Sequence, residues 1–278
     1  YEIASGDWSS DVCSSDLNKV TINPQIQLTY QIEGKGDPII LLHGLDGNLA
    51  GFEDLQHQLA SSYKVLTYDL RGHGKSSKSE SYDLNDHVED LKILMEKLNI
   101  HEAHILGHDL GGVVAKLFTD KYAYRVKSLT TIASKKDDLI HSFTQLLIQY
   151  QDDIAGFNKS EAYILLFSKL FRNQEKTMKW YQKQRIYSIK SEDDSAVAIR
   201  SLILHKDEPM YLKKRTCVPT LLINGEHDPL IKDKNHFKLE AHFLNVTKKI
   251  FEHSGHAPHI EEPEAFMNYY LKFLKSVS

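Results

Sequence analysis

Apolar residues recur along this chain in two alternating patterns, short continuous runs and longer stretches with helical spacing. The runs are typical of strands buried on both faces: "PIILLHG" (38–44), "KVLTYDL" (64–70), "AHILGHD" (103–109) and "RVKSLTTIAS" (125–134). Between them, "AGFEDLQHQLA" (50–60), "LNDHVEDLKILMEKL" (84–98) and "LGGVVAKLFTDKY" (110–122) have helical spacing. Ahead of these, "KVTI" (19–22) and "IQLTYQIEG" (26–34) predict two edge strands. This alternation predicts an α/β fold with a mostly parallel central sheet and helices on both of its faces.

The alternation stops near residue 135 and resumes near residue 214. Four helical segments fill the interval: "LIHSFTQLLIQY" (139–150), "EAYILLFSKLF" (161–171), "KTMKWYQKQRIY" (176–187) and "SAVAIRSLILH" (195–205). Strands return at "PTLLING" (219–225) and "KKIFEH" (248–253), and a last helix begins at Pro263. We therefore expect a core made of residues 18–134 and 214–278, with an all-helical lid over residues 135–213.

The first 17 residues, "YEIASGDWSSDVCSSDL", have no hydrophobic period. They resemble the in-frame translation of a DNA-sequencing adapter, so we interpret residues 1–17 as an assembly artefact and expect the native chain to begin at or before Asn18. Without them, 34 acidic residues balance 34 basic ones. A chain with no basic surplus is not expected to bind nucleic acid or an anionic membrane.

Cysteine content and hydropathy give two further expectations. Removing the first 17 residues also removes Cys13 and leaves Cys217 alone, so neither an internal disulfide nor a cysteine metal site is expected. A reducing cytoplasm is the corresponding expectation for location. No apolar run approaches the roughly 20 residues that cross a bilayer.

The stretch "GHDLGG" (107–112) joins a predicted strand to a predicted helix. Its form, G-x-D-x-G, allows a sharp turn that presents the central side chain at the carboxyl edge of the sheet. The positive end of the following helix favours an anion there. An aspartate at this position can also be a simple helix cap, and the motif alone leaves both interpretations open.

Four other stretches complete a recognisable set: "LLHG" (41–44), "DLRGHGKS" (69–76), "INGEHDPL" (223–230) and "SGHAPHIEEPEAF" (254–266). In order and spacing, the five motifs resemble the landmarks of the α/β-hydrolase superfamily, and the resemblance extends over essentially the whole chain from Asn18. It implies that Asp109 is the nucleophile, Asp228 the acid that orients the histidine, and His256 the base. Asp137 and Asp138 are a second position for the acid.

The resemblance also assigns supporting roles. The backbone N–H groups of Leu45 and Leu110 would form the oxyanion hole. His43 would brace the oxyanion loop, and Gly44, Gly107 and Gly111 would shape the site. Three other histidines are expected to be loop, surface or packing residues: His73, His253 and His259.

An aspartate at the elbow indicates particular chemistry. Its carboxyl is ionised at neutral pH, with a reference pKa near 3.9, so it needs no base for its own attack. It is a competent nucleophile at saturated carbon, where it gives an alkyl-enzyme ester. His256 would then activate water against that ester, and the oxyanion hole would stabilise the tetrahedral intermediate.

Superfamily members with aspartate at the elbow are mainly epoxide hydrolases and dehalogenases, and this chain departs from both. Many of them carry tryptophan directly after the nucleophile, where Leu110 stands here. The epoxide hydrolases usually show His-Gly-x-Pro, whereas "HGLDG" (43–47) is closer to serine esterases and lactonases.

The preferred hypothesis is an epoxide hydrolase-like enzyme, without cofactor or metal, that acts on a small apolar or electrophilic molecule as a monomer or homodimer. The alternatives are a dehalogenase, an esterase- or lactonase-like enzyme in which His256 acts directly on water, and a non-catalytic binding protein on the same fold. Opening an epoxide leaves an alkoxide that needs a proton, and a lid tyrosine is a suitable donor. The candidates are Tyr150, Tyr163, Tyr181, Tyr187 and Tyr211.

Overall fold

A computed structural model of the chain describes residues 17–189, 191–205, 215–231 and 243–277. Within these residues, eight strands form one sheet in the order β1-β2-β4-β3-β5-β6-β7-β8. The strands are β1 (Asn18–Asn23), β2 (Ile26–Glu33), β3 (Pro38–Leu42), β4 (Lys64–Tyr68), β5 (Ala103–His108), β6 (Val126–Ile132), β7 (Thr220–Gly225) and β8 (Val246–Phe251). The interpretation of residues 1–17 concerns positions outside this description, apart from Leu17, which packs against Leu49, Ala50 and Tyr187.

Strand pairing confirms the predicted mostly parallel sheet. β1 and β2 run antiparallel, as do β2 and β4, and every later pair is parallel. The prediction that both leading strands are edge strands is wrong for β2, which pairs with β1 on one side and β4 on the other. Its alternating pattern reflects one partly solvated face of an antiparallel segment rather than an edge position.

The described helices are α1 (Glu53–Leu59), α2 (Leu84–Lys97), α3 (Leu110–Tyr122), α4 (Lys136–Gln149), α5 (Lys159–Ser168), α6 (Gln174–Tyr187), α7 (Glu192–Leu204), α8 (Pro258–Glu261) and α9 (Pro263–Val277). Helices α4 to α7 follow one another between β6 and β7, where the sequence predicts the lid. The sequence analysis missed α8 because it is only four residues long. In the described part of the chain, no helix combines the length and the apolar character needed to span a membrane.

Helix α2 illustrates how local sequence and packing agree. The Asp83 side chain accepts hydrogen bonds from the N–H groups of Asn85 and Asp86, and the Asp86 side chain accepts one from the Asp83 N–H. This capping box satisfies N–H groups that the first turn leaves without helical partners. The apolar positions of the helix are then buried: Leu84, Val88, Leu91, Leu94 and Met95.

A buried ion pair fastens α2 to the loop that follows β4. The Arg71 guanidinium donates to both carboxylate oxygens of Asp90, through Nε at 2.6 Å and Nη2 at 2.5 Å. Both residues are less than a tenth exposed. Burial raises the pKa of the Asp90 carboxyl, and the Arg71 guanidinium opposes that rise. The pair therefore holds a charged loop, which carries the "DLRGHGKS" motif, against the core.

Removing Asp90 should leave the buried Arg71 guanidinium without its hydrogen-bonded partner, because its other ion pair, at 3.2 Å, is with the partly exposed carboxylate of Asp86. We expect Asp90→Ala to lower the free energy of unfolding by about 3–5 kcal/mol, measured by urea denaturation. The control is Glu96→Ala, because Glu96 lies on the same helix and pairs with Lys92 at the surface. Its loss should cost less than about 1 kcal/mol. Equal effects of the two substitutions would contradict the assignment of α2 anchoring to the buried pair.

Candidate active site

Asp109 occupies a sharp turn between β5 and α3. Its backbone angles are φ 51° and ψ −117°, which a residue with a side chain adopts only under strain. A Cβ atom on Gly107 would come within 2.2 Å of the Gly111 carbonyl oxygen, and one on Gly111 would come equally close to the Leu42 carbonyl oxygen. Glycine is therefore required at both positions, and the turn presents the Asp109 side chain at the carboxyl edge of the sheet.

The Asp109 carboxylate does not cap the helix that follows it. The side chain makes no capping hydrogen bond to α3, and its Oδ2 instead accepts a hydrogen bond from the Leu45 N–H at 2.7 Å. The backbone of the turn is fixed from the other side, because the Asp109 N–H donates to the Ile132 carbonyl and the Ser134 hydroxyl donates to the Asp109 carbonyl. The helix-cap interpretation of "GHDLGG" is therefore wrong.

Two residues distant in sequence meet Asp109 at this edge. The Nε2 atom of His256 lies 3.7 Å from Asp109 Oδ1, and its Nδ1 atom lies 2.9 Å from Asp228 Oδ2. The other Asp228 oxygen accepts a hydrogen bond from the Leu230 N–H at 2.8 Å. The three side chains are 14% exposed or less. The imidazole thus bridges two carboxylates that are largely shielded from water.

The charge states of Asp109 and His256 follow from their contact with each other and from the neighbouring Asp228 carboxylate. Burial alone would raise the pKa of the Asp109 carboxyl, but its contact with His256 and the positive charge of that ring lower it to about 2. Burial likewise opposes the charge on His256, but the negative charge of Asp228 and contact with Asp109 raise the pKa of the imidazole to about 10. At neutral pH the site therefore holds an imidazolium between two carboxylates.

The loop that carries His256 is held by one buried carboxylate, that of Glu261. Its Oε1 accepts hydrogen bonds from the N–H groups of Gly255 (2.8 Å) and Ala257 (3.3 Å). Its Oε2 accepts from the N–H groups of Arg172 (2.6 Å) and Asn173 (2.9 Å), in the connection between α5 and α6. Glu261 therefore ties the His256 loop to the helical segment above it.

The loop after β3 is braced by two histidines. His43 Nε2 accepts a hydrogen bond from the Leu70 N–H at 3.0 Å, so its Nδ1 carries the proton and donates to the Gly44 carbonyl at 2.8 Å. His73 is fully buried, and its Nε2 lies 2.9 Å from the Leu45 carbonyl oxygen. His73 lies in a loop, as expected, and its ring holds the residue whose N–H contacts Asp109.

His108, directly before Asp109, is a site residue that the sequence motifs did not predict. Its Nε2 lies 3.0 Å from the His256 carbonyl oxygen, and its ring centroid lies 5.0 Å from that of His256. Burial and the neighbouring imidazolium lower the pKa of His108 to about 4, so this ring is neutral. The "GHD" motif offered a signal, because a residue beside the elbow at a strand end necessarily lies near the site.

The other two histidines of the His256 region are located as expected. His253 is exposed. His259 is buried among the rings of Phe52, His108 and Trp180 and acts as a packing residue.

A cavity of about 870 Å³ opens onto these groups. Asp109 and His256 lie in its wall, and helices α4 to α7 supply most of the remaining lining. The Trp180 ring lies in the same wall, and its indole N–H donates to the Gly51 carbonyl oxygen at 2.7 Å. No group of three or more His, Cys, Asp or Glu side chains in the described residues is arranged to hold a metal ion.

The candidate lid tyrosines separate into two groups. Tyr163 and Tyr181 line the cavity, with ring centroids 6.1 Å apart, and the Tyr163 hydroxyl donates to Asp46 Oδ2 at 2.8 Å. The expectation that Tyr187 is a candidate proton donor is wrong. Its hydroxyl donates to the buried carboxylate of Asp69, and its side chain is not part of the cavity wall.

Two candidates remain. Tyr150 does not line the cavity either, and its ring lies under the Lys169 ammonium group. Tyr211 lies outside the described residues.

The remaining predicted positions are located as follows. Leu110 is the first residue of α3 and is buried directly after Asp109. A Cβ on Gly44 would lie 3.0 Å from Asp109 Oδ2, so a side chain here would crowd the carboxylate and shift it by a few tenths of an ångström. Asp137 and Asp138 belong to α4, and their side chains lie outside the described part of the chain. The carboxylate that contacts His256 Nδ1 is that of Asp228.

Comparison with known proteins identifies the family. Residues 37–263 match the family model of the alpha/beta hydrolase fold. The chain is 26% identical to a pimeloyl-[acyl-carrier protein] methyl ester esterase of Aliivibrio salmonicida over 260 residues, covering 89% of this chain and 96% of the esterase. It is 29% identical to a proline iminopeptidase of Heyndrickxia coagulans, with 89% and 94% covered.

A solved structure shares the same fold. The epoxide hydrolase CorEH superposes with a TM-score of 0.76 at 20% identity, with 94% of this chain and 99% of that chain covered. The match to the family model extends over most of the chain and includes all five motifs except the end of the last one. The chain therefore belongs to the alpha/beta hydrolase fold family and is a hydrolase.

Proposed function

We propose that this hydrolase opens an epoxide, or a related electrophilic carbon, by forming an ester on Asp109. The observation that carries the proposal is an ionised carboxylate at the nucleophile position, in the wall of a largely apolar cavity. A carboxylate with a pKa of about 2 is ready to attack without a base. An Asp109 oxygen would bond to the epoxide carbon as the carbon–oxygen bond of the ring breaks, which leaves an alkoxide.

The alkoxide must receive a proton, and we assign this role to the lid because His256 acts on the water of the second step. Tyr163 and Tyr181 line the cavity, and burial raises the pKa of both phenols, so both keep their protons at neutral pH. The Tyr163 hydroxyl donates to Asp46 in the resting site, and its proton would turn to the substrate oxygen when an epoxide binds. These two tyrosines are therefore the proposed proton donors.

The second step needs a neutral His256. Alkylation of Asp109 favours the deprotonation of this ring. Ester formation removes the negative charge of Asp109, which is one of the two charges that hold the proton on the imidazole. Burial then favours the neutral ring, and the proton that His256 releases returns to the tyrosinate left by protonation of the alkoxide. The neutral ring can then take a proton from water as that water attacks the ester carbonyl. Leu45 N–H already contacts the Asp109 carboxylate and would stabilise the oxyanion with Leu110 N–H.

The esterase-like alternative is favoured by the names of the two relatives but not by the charges. Direct attack by water on an ester requires a neutral His256 beside an ionised Asp109. The two neighbouring carboxylates raise the pKa of His256 to about 10, so the imidazole is protonated in the resting site at pH 7. The dehalogenase alternative lacks a free indole within the described residues, because the Trp180 N–H donates to the Gly51 carbonyl and Leu110 follows the nucleophile.

The coupling between Asp109 and His256 can be measured directly. Asp109→Asn removes one charge and keeps the shape, so the pKa of His256 should fall from about 10 by at least about one pH unit, equivalent to about 1.4 kcal/mol. Titration of the His256 ring by NMR measures this. The control is Asp46→Asn, which removes a cavity carboxylate that does not contact His256. An unchanged His256 pKa in Asp109→Asn would contradict the proposed charge coupling.

Loss of the base should stop the second step and spare the first. We expect His256→Gln to accumulate a covalent adduct on Asp109, seen in intact mass as an increase equal to a small aliphatic epoxide added in excess. Asp109→Asn is the matched control and should gain no mass. In the wild-type protein, a single turnover in ¹⁸O water should label the Asp109 peptide.

Two results would contradict the ester mechanism. The first is formation of product in ¹⁸O water without ¹⁸O in the Asp109 peptide. The second is the absence of any covalent adduct in His256→Gln with substrates that the wild-type enzyme converts.

The tyrosine assignment predicts an effect confined to the first step. In the His256→Gln background, Tyr163→Phe or Tyr181→Phe should slow formation of the adduct by at least about tenfold, or 1.4 kcal/mol. Rapid quenching followed by mass analysis gives the rate. Tyr150→Phe should leave it unchanged, since Tyr150 lies outside the cavity wall. Equal rates in all three variants would remove the proposed proton source.

A further inference from the structure

The wall of the cavity changes character along α7. Ser191, directly before this helix, and Ser195 in its first half line the cavity with hydroxyl groups. In its second half the lining side chains are Ile199, Leu202 and Ile203. These follow a three- and four-residue spacing, which places them on one face of the helix. The cavity thus has one polar rim and one aliphatic wall.

Two other helices extend the aliphatic wall. Ile140, Phe143 and Leu147 of α4 line the cavity at helical spacing, and Ile164 of α5 lines it as well. The apolar face of α4 therefore borders the same space as the apolar face of α7.

Four of these side chains both line the cavity and face solvent. Leu147 is 37% exposed, Ile164 45%, Ile199 40% and Ile203 54%. We name these four residues the apolar mouth. Large apolar side chains clustered at an opening are characteristic of a surface that receives an apolar partner. The same cavity continues inward to Asp109 and His256.

Aromatic side chains line the inner part of the cavity, near the reacting atoms. Phe171 lies with its ring centroid 6.5 Å from that of His256 and 6.0 Å from that of Trp180. Phe167 packs on Phe171 at 4.7 Å and on Tyr181 at 4.5 Å. A substrate group that reacts at Asp109 therefore lies beside aromatic rings, while the rest of the molecule extends towards the apolar mouth. A slender, flexible chain meets both conditions.

We propose that the apolar mouth binds the unbranched hydrocarbon chain of the substrate, so that the electrophilic carbon lies at one end of a long aliphatic molecule. The proposal rests on the proposed function for the identity of the reacting group, but not for the binding of the chain. The lining residues favour a chain over a bilayer surface, because they border a channel that continues to the reacting carboxylate. Ile186 and Ile189 are more exposed, at 87% and 70%, yet neither lines the cavity.

The binding of unreactive alcohols tests the proposal without any chemistry. 1-Alkanols from hexanol to decanol are titrated into a Trp8→Phe protein, in which Trp180 of the cavity wall is the remaining tryptophan and reports binding by its fluorescence. Each added methylene should tighten binding about fourfold, as expected for complete transfer from water. A Kd that does not change with chain length would overturn the proposal.

Substitution at the mouth should remove this dependence selectively. The double variant Ile199→Asn, Ile203→Asn should weaken decanol binding at least about tenfold and hexanol binding less than about twofold. Leu147→Asn, on another helix, should weaken decanol binding in the same direction. The control is Ile186→Asn, which introduces the same polar group on α6 outside the cavity and should leave both alcohols unaffected. Thermal unfolding of each variant checks that the fold is retained.

Further outcomes separate this proposal from its rivals and from the proposed function. If the double variant binds alcohols as the wild type does but loses binding to phosphatidylcholine vesicles, the mouth is a bilayer contact and the proposal is overturned. If it instead loses self-association in sedimentation, the mouth is an interface between copies and the proposal is likewise overturned. If no adduct forms on Asp109 but alcohol binding depends on chain length and on Ile199 and Ile203, the chain site stands and only the ester mechanism fails.

Discussion

The strained turn at Asp109 is the constraint on which the rest of the site depends. A non-glycine residue at φ 51° costs on the order of 1–3 kcal/mol and persists only where its surroundings enforce it. Here the enforcement comes from glycines that let α3 approach β3 and β5 closely. Hydrogen bonds to Ile132, the last residue of β6, and to Ser134, two residues beyond it, add to it. Because the turn is fixed from both sides, the carboxylate can face Leu45 and His256 without serving as a helix cap.

An aspartate in this turn changes the charge state of its neighbours. A neutral hydroxyl at the same place would leave His256 with one carboxylate partner, and the ring would have to be neutral to accept a proton from that hydroxyl. A carboxylate instead gives the ring a second negative neighbour and holds the proton on it. The protonation of His256 in the resting site thus depends in part on the negative charge of Asp109, which the first chemical step would remove. The esterase and iminopeptidase relatives therefore inform the fold and the family, whereas the charges at Asp109 and His256 inform the chemistry.

The elements that could be predicted from sequence are those whose signal is local. The strand at "AHILGHD", the capping of α2 and the turn glycines are each encoded within a few residues, and the order of the motifs indicated which of them would meet at one sheet edge. The contacts that could not be predicted join distant segments through atoms that carry no pattern. Periodicity does not reveal that the Tyr187 hydroxyl reaches Asp69 rather than the cavity, or that one Glu261 carboxylate receives four backbone N–H groups. The interior position of β2 in the sheet likewise depends on which strand pairs with it, and its own alternation does not specify that partner.

These long-range contacts divide the cavity wall into two parts with different physical character. The inner part, at the connection of α5 and α6, is tied to the core by buried polar groups. Glu261 holds it to the His256 loop, and Asp69 holds the end of α6 through Tyr187. The outer part, the apolar mouth on α4, α5 and α7, is formed by aliphatic side chains that make non-directional contacts. Directional bonds thus fix the geometry around Asp109 and His256, while the mouth can change in size and shape without disturbing it. A fold built in this way can keep one reaction and vary the chain that it accepts.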